Sequence, residues 1–255
     1  VLHAGQRLRP QDIGILAMLG MAHVRVFRKP RLVLLSSGDE LLPVEAPLQM
    51  GKIRDANSYT LSALITAAGA EVIPLGIAPD KPQAIQALLE KAVQHNADMI
   101  LTSAGVSVGA FDYLKEIVEA NGTLTFWRVN MRPGKPLAFG AYRGIPYIGL
   151  PGNPVSAFVG FEVFVRPAIQ RLGGEQVNER PRLRVRLAEE IESDGRESYL
   201  RAEIYTTADG TLQARLSEHQ GSGNLFSLVR ANALLIIPAG VKSLPIGAEV
   251  DAWLL

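Results

Sequence analysis

From Arg31 to Leu172, short apolar runs alternate with stretches whose apolar residues recur at helical spacing. Leu32–Leu35, Glu71–Leu75, Ala97–Leu101, Leu124–Val129, Leu137–Tyr142 and Pro146–Leu150 read as strands, and Pro74 assigns the second of them to a sheet edge or a strand end. Between residues 82 and 95, Ile85, Leu88, Leu89, Ala92 and Val93 fall at i, i+3, i+4, i+7 and i+8, one face of an amphipathic helix. A second helix carries Leu61, Leu64, Ile65 and Ala68, with Asn57 as its N-cap and Gly69 at its end. A third runs from Asp112 to Asn121. Pro154–Leu172 is apolar on most faces, which predicts a buried helix that Pro167 kinks or shortens and Gly173–Gly174 end. Upstream, Asp12 is placed to cap a short helix over 13–20, and Arg25–Lys29 is a basic connector.

After Gly174 the period changes. Pro181–Ile191, Ser198–Tyr205 and Thr211–Leu216 alternate polar and apolar, Asp209–Gly210 is a hairpin turn signal, and Leu234–Ile237 and Val250–Leu254 complete the set. The expected fold class is therefore α/β, a mostly parallel sheet with helices on both faces, followed by a small antiparallel β domain. The boundary falls near Gly173–Pro181. Ligands of open α/β sheets bind at the carboxyl ends of the strands. SSGDEL (Ser36–Leu41), TSAGVSVG (Thr102–Gly109) and GLPGNPVS (Gly149–Ser156) each follow a strand directly, so all three should share one edge.

Composition narrows the chemistry. In 255 residues, 47% are hydrophobic and 20% charged, enough apolar surface for a core, and the net charge of +1 argues against nucleic-acid or membrane-surface partners. No apolar run approaches the roughly 20 residues of a membrane span. The chain has no Cys and its four His are scattered, so any metal would be a hard cation on oxygen ligands.

The loops supply those oxygens and some cations. In TSAGVSVGAFD, Gly105 and Gly109 permit close backbone approach and Ser103 and Ser107 can donate to phosphate oxygens. Asp112 can hold Mg²⁺ beside such a phosphate, or simply cap the next helix. The spacing is neither a dinucleotide fingerprint nor a Walker A loop. Asp39 and Glu40 are adjacent, so at most one faces a given site. Asp39 suits a metal or a sugar hydroxyl, or a turn cap. Asp55 alone reads as a surface carboxylate near a helix start. RPGKP places Arg132 and Lys135 on a loop stiffened by two prolines, suited to an oxyanion or to solvent. In GLPGNPVS, Asn153 is an N-cap with Pro154 in the first turn, which leaves N–H groups and Ser156 for an anion, or forms a plain strand-to-helix turn. No Ser–His–Asp set can be assembled. The residues by themselves point to a phosphorylated, Mg²⁺-bound ligand with cationic help.

Taken in order, SSGDEL, IRDANSY, TSAGVSVGAFDYLKE, MRPGKPLAFG and GLPGNPVSAF closely resemble the molybdopterin molybdenumtransferase family, which includes the C-terminal part of gephyrin. GSGNLFSLVRANALLIIP (Gly221–Pro238) is similar to that family's C-terminal β domain. The resemblance implies a molybdopterin-binding α/β domain over 29–175, a β domain over 176–255, and a remnant of an N-terminal domain with a linker over 1–28. It implies insertion of molybdate into adenylylated molybdopterin with release of AMP. Asp112, Arg132 and Lys135 would be catalytic, Asp112 as the Mg²⁺ ligand. Asp39, Asp55, Asn57, Ser103, Gly105, Ser107, Gly109, Pro151, Gly152, Asn153, Pro154 and Ser156 would bind or shape the pocket for the substrate. Arg132, Lys135, Arg201 and Ser222 would hold molybdate. A homodimer, exchange with the molybdopterin adenylyltransferase and a cytoplasmic location are implied as well. An adenylyltransferase-like or pyridine-nucleotide amidase-like enzyme, or a gephyrin-like dimerising scaffold, are the alternatives. Ala104 stands where the family has Gly, and would be strained if that position required positive φ.

Overall fold

Apolar runs flanked by helices on both sides become central strands because only a doubly covered sheet buries both of their faces. The computed structural model describes residues 2–104, 110–176 and 180–255. The first part comprises α1 (Pro10–Met18), β1 (Arg31–Ser37), β2 (Leu41–Leu42), β3 (Ile53–Arg54), α2 (Ala56–Ala67), β4 (Glu71–Ala78), α3 (Pro82–Gln94) and β5 (Met99–Ala104). It continues with α4 (Ala110–Asn121), β6 (Gly122–Arg128), β7 (Met131–Arg132), β8 (Pro136–Tyr142), β9 (Ile145–Pro151) and α5 (Pro154–Gly160). A π-helical turn (Phe161–Val165) joins α5 to α6 (Arg166–Leu172). The second part holds β10 (Leu183–Leu187), β11 (Ile191–Glu192), β12 (Glu197–Thr206), β13 (Leu212–Leu216), α7 (Leu225–Arg230), β14 (Ala233–Ile237), β15 (Ser243–Leu244) and β16 (Glu249–Leu254).

The first sheet runs β4-β1-β5-β9-β8-β6. Its first four strands are parallel, β8 is antiparallel to β9, and β6 is antiparallel to β8. Pro74 sits on edge strand β4, where its missing N–H matters least, and the register slips between Leu34 and Leu35 opposite Gly76, which has a φ of 86°. One apolar cluster (Leu61, Ile65, Leu101, Ile148, Phe161, Ile169) packs α2 and the α5–α6 helix on one face. Another (Ile85, Leu89, Ile100, Val118, Tyr147) packs α3 and α4 on the other.

In the second part, β13-β10-β16-β14-β12 forms one sheet, and a further pairing of β13 with β12 closes it on itself as a small barrel. The alternating pattern predicts an antiparallel unit. Most pairings are antiparallel, but the closure uses a parallel one between β10 and β13, which no local pattern encodes. The short β7 also joins β12 in parallel, so Met131 and Arg132 of the first part extend the barrel's sheet. Helix α7 lies between β13 and β14, in a stretch for which the pattern names no element.

Several local expectations shift. Helix α1 starts at Pro10, and Asp12 sits one turn in, where its carboxylate accepts from the Arg9 backbone N–H and pairs with the Arg9 side chain. Pro167 leaves the helix running: the π-helical turn just ahead of it relieves the clash with the preceding turn. Gly174, with φ 73°, supplies the left-handed residue after α6.

The β6–β8 pair is unusually close. A Cβ at Gly140 would lie 2.1 Å from the Thr123 carbonyl oxygen, and one at Gly122 would lie 2.0 Å from that of Ala141. Gly140→Ala should therefore destabilise the chain by about 2 kcal/mol or more, read as a lowered midpoint in urea denaturation. An unchanged midpoint would show that the strands can separate freely.

Candidate functional site

Because β1, β5 and β9 are adjacent and parallel, the loops that follow them meet at one edge. Strand β8 is antiparallel to β9, and continuing its register from Ala138↔Gly149 brings Pro136 level with Pro151. The start of β8 thus lies at the same edge, and RPGKP joins the other three motifs there. A Cβ on Gly134 would be 3.6 Å from the Ser156 carbonyl oxygen, which shows how closely this loop rests on α5.

Asn57 ties these loops together. Its Nδ2 donates to Ser103 Oγ at 2.8 Å and to the Gly152 carbonyl at 2.8 Å. The carbonyl can only accept, so the amide orientation is fixed. The capping role expected of Asn57 belongs to Asp55, whose Oδ1 accepts from Ser58 N–H at 3.1 Å. Asp55 is only 3% exposed, not a surface carboxylate. Its own N–H donates to the Leu42 carbonyl, which anchors the helix start to the β2–β3 pair. With Asp55 capping, Asn57 is free to face inward.

Asp55, Asn57, Ser103, Gly152, Asn153 and Pro154 line a single recess of about 390 Å³, joined by Gly223 from the barrel part. Glu40, Leu41, Ile53, Arg54 and Ala56 complete it. Leu41 and Asp55 also belong to a neighbouring groove of about 750 Å³ between α2 and β4, lined by Asp39, Ser58, Tyr59, Ser62 and apolar side chains. Asp39 and Glu40 accordingly face different cavities. Asp39 Oδ1 also accepts from Asp80 N–H at 3.0 Å, the turn-holding role open to it. Pro151 is buried at the end of β9, paired with Ala104.

The α5 start is less open than its sequence suggests. Val155 N–H donates to the Ser222 carbonyl at 3.1 Å, and Asn153, although at the N-cap position, makes no side-chain cap. Ser222 therefore reaches this helix by its backbone. Ser156 is buried.

Cations gather beside this junction. Arg132 ends β7 and lies 3.8 Å from Asp194. Asp194 is held down to about 2, chiefly by its hydrogen bonds from Arg196 and then by the Arg132 charge. Lys135 is exposed and forms no ion pair among the described residues. Arg201 is 1% exposed, and desolvation first, then the charge of Arg132, push it down to about 10. It remains a cation at neutral pH. Tyr147, on the sheet beneath, is pushed up to about 12 by burial and shares a 2.9 Å hydrogen bond with Thr102.

Asp112 is exposed in the first turn of α4, which begins two residues before it, so it is not the cap itself. Gly105, Ser107 and Gly109 lie outside the described residues. Ala104 ends strand β5, paired with Ser37 and Pro151, and a ladder position asks for no left-handed backbone. Of the wall residues not foreseen, Gly223 had a signal in its Gly-Ser-Gly setting. Ile53 and Arg54 lie in the IRDANSY stretch that carries the resemblance, but they had no chemical signal of their own, because β2–β3 is a two-residue pairing.

Asn57→Ala should destabilise the chain by about 1–3 kcal/mol, because Ser103 and Gly152 lose a buried donor. Asn57→Asp should cost more, since a carboxylate would face a carbonyl. Urea denaturation checks both, and a change under about 0.5 kcal/mol for either would contradict this linkage.

Residues 33–171 match the family described as probable molybdopterin binding domain, and residues 184–255 match the MoeA C-terminal region (domain IV). The chain is 40% identical to the molybdopterin molybdenumtransferase of Nostoc sp., over 98% of this chain and 58% of that protein. It is 37% identical to the protein of the same name from Haemophilus influenzae, over 93% and 59%. Among solved structures, the molybdopterin biosynthesis MoeA protein from Pyrococcus horikosii superposes with a TM-score of 0.84 at 31% identity, over 98% of this chain and 61% of that one. The chain thus spans about 60% of the length of these relatives. By these matches, and by an α/β sheet joined to a small β barrel, the chain belongs to the molybdopterin-binding domain family in its MoeA-type form.

Proposed function

We propose that this chain provides the substrate and oxyanion sites of a molybdopterin molybdenumtransferase, inserting molybdate into adenylylated molybdopterin with release of AMP. The observation that carries this reading is the placement of Arg201: a buried guanidinium, without a carboxylate partner among the described residues, beside the α5 start that Ser222 touches. A buried cation of this kind is stabilised by an anion that enters with the ligand. Arg132 and Lys135 would add charge from the facing loop, and Arg is suited to engage an oxyanion bidentately.

The recess and its adjoining groove are large enough for a pterin–nucleotide ligand, with Asp55, Asn57 and Ser103 at the junction and Asp39 and Tyr59 in the groove. Among the described residues no group of three or more His, Cys, Asp or Glu could cage a metal. A single exposed carboxylate, Asp112, fits Mg²⁺ shared with substrate phosphates, the usual arrangement for that ion. Bound there, Mg²⁺ would neutralise charge on the phosphoanhydride. The protein's part is positional: it fixes the anhydride at the strand edge and the oxyanion beside it, while the dithiolene sulfurs that take up molybdenum belong to the substrate. Such chemistry requires no protein thiol or catalytic His. A homodimer, exchange with the molybdopterin adenylyltransferase and a cytoplasmic setting belong to the same reading. Exposed Ile13, Met18 and Leu19 on and beside α1 offer apolar surface for a second subunit.

Given adenylylated molybdopterin, Mg²⁺ and molybdate, the protein should release AMP. The assay is run on this chain and on the same chain extended by the portion in which its relatives are longer. No release from either, with folding verified by circular dichroism, would contradict the proposal. Asp112→Ala should abolish the Mg²⁺-dependent release while shifting Tm by no more than a few degrees. Retained release would remove Asp112 from the metal site.

A further inference from the structure

Arg201 is the largest of the fully buried side chains among the described residues, and neutral groups hold it. Its Nε–H donates to Ser227 Oγ at 3.0 Å, and Nη2 donates to the carbonyls of His219 and Gly221 at 3.2 and 3.0 Å. Gln220 grips the backbone of the same residue: its Oε1 accepts from Arg201 N–H, and its Nε2 donates to the Arg201 carbonyl. Nη1 makes no hydrogen bond among the described residues.

Ser227 is fully buried at the start of α7. A hydroxyl has one proton, and that of Ser227 is directed to the Asn224 carbonyl at 2.6 Å. Its lone pairs are thereby turned toward Arg201 Nε, so Asn224 sets the polarity of the contact. The Ser227 carbonyl separately accepts from Ser217 Oγ at 2.9 Å. That bond uses the backbone and survives loss of the hydroxyl. The packing around Ser227 is thus separable from its hold on the guanidinium.

We propose that Ser227 is a positioning residue, whose hydroxyl, oriented by the Asn224 carbonyl, fixes the plane of the Arg201 guanidinium and leaves its Nη1 edge for a tetrahedral oxyanion. The inference rests on the reading of Arg201 as part of the oxyanion site. Ser227 lies within the stretch Gly221–Pro238 that carries the family resemblance, but that resemblance gives it no role; it sits in α7 and is not among the recess walls named above.

The test is calorimetric titration of the whole chain with sodium molybdate. Wild type should bind, Arg201→Met should lose binding, and Ser227→Ala should bind about tenfold more weakly with Tm within a few degrees of wild type. Ser227→Cys, close in size but a weak acceptor, should fall between. In ¹⁵N spectra of the wild type, the Arg201 Nε–H signal should exchange slowly and shift on adding molybdate, and in Ser227→Ala it should exchange fast. If Ser227→Ala binds like wild type while Arg201→Met does not, Ser227 is structural only and the inference falls alone. If wild type itself shows no binding, the oxyanion reading falls and takes the inference with it. Should Ser227→Ala fail to fold, Ser227→Cys and the wild-type signal decide, and a freely exchanging Nε–H would overturn the proposal.

Discussion

The amide of Asn57 has two N–H donors, and both serve segments that the chain order keeps far apart: Ser103 near the end of β5 and Gly152 just after β9. A parallel sheet brings the strand ends together, but it leaves the loops beyond them without a ladder of their own. Backbone polar groups released at such an edge must find partners in side chains or water. Asn57 provides that closure from α2, and it can do so because Asp55, two residues earlier, has already capped the helix. Removing the amide would leave three segments at one edge with nothing common to hold them.

The barrel contributes the second constraint. Helix α5 is shared, with Ala157 packed toward the first sheet and Val155 and Val159 toward Tyr199, Leu234 and Ile236 of the barrel. Buried Glu162 in the π-helical turn pairs with Arg166 at 2.7 Å and with Arg180, and Arg180 also reaches the Leu254 carbonyl. These contacts seat the barrel against the helix whose start meets Ser222. Arg132 lies close enough for its charge to be felt at Arg201. Burying the Arg201 charge away from water is unfavourable in the empty protein and becomes favourable once an anion enters.

Much of the architecture was legible because burial on two faces writes continuous apolar runs, as in β1 and β9, and one-sided burial writes helical spacing, as in α3. The shared edge followed from strand order alone. What local pattern does not carry is pairing between distant segments. The parallel closure of β10 with β13, the recruitment of Met131–Arg132 into the barrel sheet and the burial of Arg201 all depend on partners elsewhere in the chain. The exchange of roles between Asp55 and Asn57 is of the same kind: either residue caps well, and only the facing loops decide which turns inward. Asp112 lies inside the first turn of α4 and not ahead of it, because the helix begins at Ala110.

The central claim is that the strand edge and the barrel together form one anion-binding site beside a substrate recess. Crystals of the protein soaked in molybdate and measured at the molybdenum absorption edge test it most directly. The account predicts one anomalous peak bounded by Arg132, Arg201, Ser222 and the start of α5. A peak confined to another surface, or none at a molybdate concentration that saturates binding in solution, would contradict it.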